Sequence, residues 1–285
     1  MVFTVLNAHY GLSYTSGDGL ALLLLRKTAE PPFCFLFSRY KKHRHPTEKL
    51  YKSTPCSGLC GFSFQYLCRM NISENIHSLL REIPRDVQLV AVSKTKSNAE
   101  IMAAYRAGQR IFGENKIQEM TAKHQALPQD IRWHMIGHVQ TNKVKYMAPF
   151  VDLIHGVDRL KLLREIDKQA QKNKRKIDCL LQVHIARESS KFGFSQDECV
   201  QALEVATSME HVNIRGLMGM ATFTDDQDQI AQEFKGLKSF YDELRRNHPG
   251  LSLLSMGMSG DYPLAIAQGS NMIRVGSKIF GSRTL

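Results

Sequence analysis

The sequence predicts a single closed (β/α)8 barrel, the TIM-barrel architecture, over residues 70–285, behind an N-terminal extension of residues 1–69. Three observations predict it. Eight short apolar runs recur between residues 88 and 276, with amphipathic stretches between them. Nearly all of these runs are continuously apolar rather than alternating, as in parallel strands covered on both faces by helices. The first run is followed by Lys94-Thr95-Lys96-Ser97 with no glycine, which disfavours an open nucleotide-binding sheet. The count of eight closes the sheet, and about 200 residues is the short end of the size range for such barrels.

The elements follow in order. Asn71-Ile-Ser-Glu74 reads as a helix start, an N-cap residue with a glutamate three later. The predicted strands are 88–94, 110–114, 131–136, 152–156, 178–185, 213–219, 251–256 and 272–276. Ser97 and Glu100 form a capping box after the first strand. Asp158 is placed to cap the helix that carries Leu160, Leu163 and Ile166 on one face. The clearest helix is 228–247, where Ile230, Phe234, Leu237, Phe240 and Leu244 recur at helical spacing.

Composition narrows the function classes. The chain has 285 residues, 43% apolar and 23% charged, enough to bury a large core. Its longest apolar run, Leu20–Leu25, falls far short of the ~18 residues a membrane-spanning helix needs. The net charge of +11 suggests an acidic partner, yet residues 1–69 carry +6 of it, with nine Lys/Arg against three Asp/Glu. Cysteine is equally uneven, with Cys34, Cys56, Cys60 and Cys68 in that segment. Cys56-x3-Cys60-x7-Cys68 lacks the paired short spacings of a zinc site, so no metal is expected. Segment 1–69 shows neither strand nor helix period and is expected to be poorly structured, consistent with a start assigned too far upstream of Met70. Its basic knot, Lys41–His45, would be the feature to contact nucleic acid or membrane. The expectation is that neither is a partner. Cys179 and Cys199, in apolar patterns, read as reduced, buried thiols of a cytoplasmic protein.

A barrel of this kind carries its site at the C-terminal ends of its strands. Those ends present Lys94, Asn115, His138, Asp158, Met220, Ser259 and Gly276-Ser277. The last two loops are the usual phosphate-binding place, where Gly276 allows close approach and Ser259 and Ser277 offer hydroxyls. A lysine desolvated at the end of an apolar strand loses its proton more readily, and the neutral amine attacks aldehydes. Lys94 and Lys96 share strand parity, so spacing does not choose between them. Trp133 and His134 alternate, so one faces the lumen and the other the helices.

Taken together, LVAVSKTK (89–96), GQRIFGEN (108–115), WHMIGHVQTNK (133–143), SSKFGF (189–194), GLMGMAT (216–222), SMGMS (255–259) and IRVGSKIFG (273–281) resemble the YggS/PROSC family of pyridoxal phosphate homeostasis proteins. That family's fold is similar to the N-terminal barrel of alanine racemase, the fold-type III class of pyridoxal-phosphate-binding proteins. The resemblance implies pyridoxal 5′-phosphate as cofactor, held as a Schiff base on Lys94. It implies that Ser259, Gly276 and Ser277 hold the phosphate, and that Arg274 lies near the ring nitrogen or phosphate. It implies that Asn115 and His134 line the same pocket. Lys116, Ser97 and Gly260 depart from the family's usual residues, which touches the pocket rim.

An arginine beside the ring nitrogen makes the ring a weaker electron sink. Racemisation also needs a second base, which alanine racemases draw from an added β-domain and a partner subunit. Here the sequence stops at Leu285, soon after the last strand. The expectation is therefore intracellular cofactor homeostasis without strong catalytic activity and with no catalytic residue. The alternative is a racemase-like enzyme. Expected partners are the cofactor and pyridoxal-phosphate-dependent apoenzymes, the protein itself being a monomer because no apolar stripe is left over.

Overall fold

The computed structural model describes the backbone of Gly11–Gly17, Leu20–Arg26 and Phe33–Phe37, and residues 71–188 and 192–281. The chain divides into two compact units, Met1–Phe62 and Ser63–Leu285. In the first, β1 (Gly11–Gly17), β2 (Leu20–Arg26) and β3 (Phe33–Phe37) pair as an antiparallel sheet in that order. The periodicity of this segment predicts no element. The run Leu20–Leu25 is continuously apolar and so shows neither the strand nor the helix period. The basic knot 41–45 and Cys56, Cys60 and Cys68 lie outside the described residues.

The second unit is the predicted barrel. Its strands are β4 (Gln88–Val92), β5 (Ile111–Glu114), β6 (Arg132–Met135), β7 (Leu153–Val157), β8 (Ile177–Gln182), β9 (Val212–Met218), β10 (Leu253–Ser255) and β11 (Met272–Val275). All neighbours are parallel, in sequence order, and β11 closes onto β4 through pairs such as Arg274 with Val90. Each observed strand falls on a predicted run. The capping box at Ser97 opens α2 (Asn98–Arg106), and Asn71 caps α1 (Ile72–Glu82) by accepting the Glu74 N–H at 3.3 Å. The long helix is α7 (Gln227–Asn247), with Asp226 as its cap.

One expectation fails. Asp158 does not cap α5 (Leu160–Lys172), whose N-cap is Arg159 with no side-chain bond. The Asp158 carboxylate is instead taken by His138 Nδ1 at 2.8 Å and by the Arg159 guanidinium. Two cationic or donor groups outcompete a single helix N–H, because a bond between charged groups is about twice as strong as a neutral one.

Two apolar layers result. Trp133, Met135, Phe112, Leu162, Leu163 and Phe234 belong to the outer layer between strands and helices. Val90, Leu153, Leu180, Met218 and Met272, one from each of five strands, form a separate cluster that fills the lumen. His134 shares its parity with Ile136, which packs on the lumen cluster, so the histidine points inward and Trp133 outward. Cys179 and Cys199 are buried and unpaired, and burial pushes the Cys199 thiol up to about 12. Among the described residues no helix is long and apolar enough to cross a membrane.

Candidate functional site

Above the lumen cluster, the C-terminal strand ends enclose a cavity of about 310 Å³, lined by Lys94, Lys96, Asn115, Ser259, Arg274, Gly276 and Ser277 among others. That volume is at the low end for small-molecule sites. Six of the seven site residues expected from the sequence therefore meet here. The seventh, His134, does not line the cavity. It is fully buried one layer below, beneath Ile136.

The two lysines are separated by their partners. The β4 ladder stops at Val92, and Thr95 turns the chain through the left-handed region, at φ 65°. Lys96 Nζ then donates to Phe280 O at 2.9 Å and pairs with Glu100 at 3.4 Å. Lys94 is half-buried and lines the cavity wall.

Opposite lie the loops after β10 and β11. Gly276 N–H donates to Ser259 Oγ at 3.1 Å, so the Ser259 hydroxyl proton is left to point at an acceptor. A Cβ at Gly276 would sit tightly against Val92, 3.3 Å from its Cβ and its O. Ser277 and Lys278 begin α9 (Ser277–Phe280), so their N–H groups have no partner earlier in the helix. Met258, 39% exposed, and Gly260 complete the rim.

Arg274 is buried beneath this nest. Its Nη1 donates to Ser255 O at 2.9 Å and to Ser255 Oγ at 2.5 Å, and its Nη2 to Gly219 O at 3.2 Å. Burial lowers it to about 10, still cationic at neutral pH. A polar chain continues downward. Ser255 Oγ lies 3.2 Å from His155 Nδ1, His155 Nε2 lies 3.0 Å from His134 Nδ1, and His134 Nε2 lies 3.2 Å from Asp152 Oδ2. The two charged ends fix every tautomer between them. The Asp152 carboxylate accepts from His134 Nε2–H, so His134 Nδ1 accepts from His155 Nε2–H, and His155 Nδ1 accepts from the Ser255 hydroxyl. His134 thus helps to orient the serine that holds Arg274. His155 and Ser255 were not legible as site residues, since nothing in LIHGV or LLSM distinguishes them from core.

Burial lowers both histidines, His155 the further, helped by its neighbours His134 and Arg274. At Asp152 burial raises the carboxyl, but the hydrogen bonds from His134 and Arg132 outweigh it and bring it down to about 2. The unfolded chain takes up protons near pH 6.5 that the folded barrel refuses, so stability rises with pH through that window and is lost below it. Lowering the pH from 7.5 to 5.5 is expected to cost up to about 1.4 kcal/mol per histidine. Urea midpoints at the two pH values read it, and His155→Asn is expected to remove one histidine's share. An identical loss in wild type and variant would contradict the assignment.

Residues 68–284 match the family described as the N-terminal domain of alanine racemase. Pyridoxal phosphate homeostasis proteins from Vibrio alginolyticus and Aquifex aeolicus are 36% and 34% identical to the chain. Each match covers 75% of it, and 98% and 99% of the respective relative. The structure of PipY from Synechococcus elongatus with PLP bound is 38% identical, with a TM-score of 0.69 over 74% of this chain and all of that one. An alanine racemase from Clostridium difficile in complex with cycloserine, 13% identical, shares the fold with a TM-score of 0.61, over 75% of this chain and 60% of that one. Residues 68–284 thus carry both the barrel and the family match, and the chain belongs to the pyridoxal phosphate homeostasis proteins of the alanine racemase N-terminal domain family.

Proposed function

We propose that the barrel binds pyridoxal 5′-phosphate in the cavity at Lys94 and serves the intracellular homeostasis of that cofactor, without strong catalytic activity of its own. The observation that carries the reading is the chemistry of the lining. Among the described residues, Lys94, Lys96 and Arg274 supply three cations and Ser259 and Ser277 two hydroxyls, and no carboxylate, histidine, tyrosine or cysteine lines the cavity. Such a wall suits a phosphate monoester, which carries about −1.5 to −2 charges at pH 7.

When bound, the cofactor supplies an aldehyde that condenses with a primary amine. Lys94 provides that amine from the strand end, while Lys96 stays bonded to Phe280 O and Glu100. Ser259, Ser277 and the N–H groups at the start of α9 donate to anionic oxygens. Arg274, pinned by Ser255 and Gly219, holds a fixed positive charge and gives up no proton at neutral pH. Arg274 would offer no proton to a ring nitrogen of a cofactor held there, and among the described lining residues no carboxylate, histidine, tyrosine or cysteine would act as a second base. That combination supports retention and release of the cofactor over turnover of amino acids.

The finer reading places the protein in the cytoplasm, as a monomer, with pyridoxal-phosphate-dependent apoenzymes as recipients. The buried, unpaired Cys179 and Cys199 support the compartment. The working unit is residues 70–285, with 1–69 as an extension.

Borohydride reduction of the purified protein loaded with pyridoxal 5′-phosphate, followed by peptide mass mapping, tests the proposal. One phosphopyridoxyl group on Lys94 is expected. A label confined to Lys96, or none after saturation, overturns it.

A further inference from the structure

Beside the cavity, outside its lining, lies a buried charged cluster that nothing above accounts for. Glu114 ends β5, and α3 (Ile117–Ala126) carries Glu119 and Lys123 one turn apart. Lys123 is 6% exposed, and its ammonium makes three bonds, to Glu114 Oε1 at 2.8 Å, Glu119 Oε1 at 2.7 Å and the backbone carbonyl of Ser93 at 2.8 Å. Its three protons therefore have three acceptors. Glu119 Oε1 also accepts the backbone N–H of Thr95 at 2.6 Å, and Ser93 Oγ donates to Glu114 Oε1 at 2.6 Å.

The two backbone groups so engaged are the carbonyl before Lys94 and the amide after it. Both lie just past the end of β4, where Ser93 O also accepts the Lys96 N–H at 3.0 Å across the turn and the Thr95 N–H is taken by Glu119. Thr95 is moreover in the left-handed region, which a β-branched residue occupies only when its surroundings impose it. We propose that Glu119 and Lys123 are positioning residues for Lys94: together they clamp the peptide groups on either side of it and impose the turn that aims its amine into the cavity. The inference rests on Lys94 as the attachment lysine. It adds that the precision of that amine's placement is supplied by α3, an element that does not line the cavity. Placement matters because an amine displaced by about 1 Å can lose reactivity by up to ~10²-fold.

The test uses the full chain and three variants. Glu119→Gln keeps an oxygen acceptor for Thr95 N–H, Glu119→Ala removes it at a partly exposed helix position, and Lys123→Met removes the ammonium that ties Ser93 O to Glu119, leaving Ser93 O the Lys96 N–H. In cofactor-free protein, amide hydrogen exchange at Thr95 and Lys96 reports the clamp directly. With added pyridoxal 5′-phosphate, stopped-flow absorbance gives the rate of covalent attachment. Circular dichroism and urea midpoints control for folding. Glu119→Ala and Lys123→Met are expected to lose protection at Thr95 and to attach the cofactor about tenfold more slowly. Glu119→Gln is expected to stay within about threefold of wild type, a rescue that a general stability role would not produce. A folded Glu119→Ala protein with unchanged exchange at Thr95 overturns the clamp, as does an attachment rate within twofold of wild type. A wild-type protein that attaches no cofactor refutes the reading of Lys94 instead, and the exchange comparison alone then decides the clamp.

Discussion

Lys94→Ala is expected to abolish the visible absorption band of the loaded protein and to weaken pyridoxal 5′-phosphate binding by at least about 100-fold, or roughly 2.7 kcal/mol. The remaining lining explains why binding is weakened and not erased. Ser259, Ser277, Gly276 and Arg274 are untouched by the substitution and still present donors and charge to a phosphate. What disappears is the amine that would condense with the aldehyde of the cofactor. Lys94→Arg separates charge from nucleophilicity. A guanidinium keeps the positive potential but stays protonated, so it should retain more affinity than alanine while giving no reducible attachment. Stability should change little in either variant, because Lys94 lies half-buried past the end of its strand. Equilibrium dialysis, absorbance spectra and urea midpoints check all three statements. A band of undiminished intensity in Lys94→Ala would move the attachment to another lysine.

The second large effect is structural. Gly216→Ala is expected to destabilise the barrel by more than about 4 kcal/mol, lowering Tm by about 10 °C or more. A Cβ at Gly216 would stand 1.7 Å from Leu253 O and 2.6 Å from Leu253 C. These are backbone atoms of the paired strand β10, so no side chain can rotate to make room. Gly216 also pairs with Leu180 of β8, next to the register shift between Cys179 and Leu180. The strand is thus held closely on both sides at one residue. Gly236→Ala is the control. Gly236 lies inside α7 with nothing within 4 Å of its would-be Cβ, so alanine there should stabilise by about 0.5–1 kcal/mol. Thermal unfolding of both variants reads the contrast, and equal Tm values would mean that the β9–β10 approach is looser than it stands.

On the proposed reading, the protein binds its ligand where parallel strands end and draws its reactivity from how one chain segment leaves the sheet. Thr95, just after Lys94, is in the left-handed region, and Lys96 is bonded to Phe280 O and Glu100. The polar chain from Asp152 through His134, His155 and Ser255 sets the orientation of Arg274 from below. Charge placement at the site therefore depends on residues far from its mouth.

The sequence by itself determined the barrel, its eight strands and the place of its site. Apolar runs such as QLVAV and DCLLQ record burial on both faces residue by residue, and the capping box at Ser97 is a local bond between residues three apart. That Ser259, Gly276 and Ser277 line one cavity was legible for a related reason, because they follow strands whose order along the chain is also their order around the barrel. Tertiary structure alone decided the rest. Lys94 was separated from Lys96 by Phe280, 184 residues further along the chain. His134 was withdrawn from the cavity by His155 and Asp152, and Asp158 from its helix by His138. The clamp of Glu119 and Lys123 and the contact at Gly216 likewise join neighbouring elements across the closed sheet. Periodicity reports which face a side chain takes. Which group it meets there is set by register and closure, and those are properties of the folded chain.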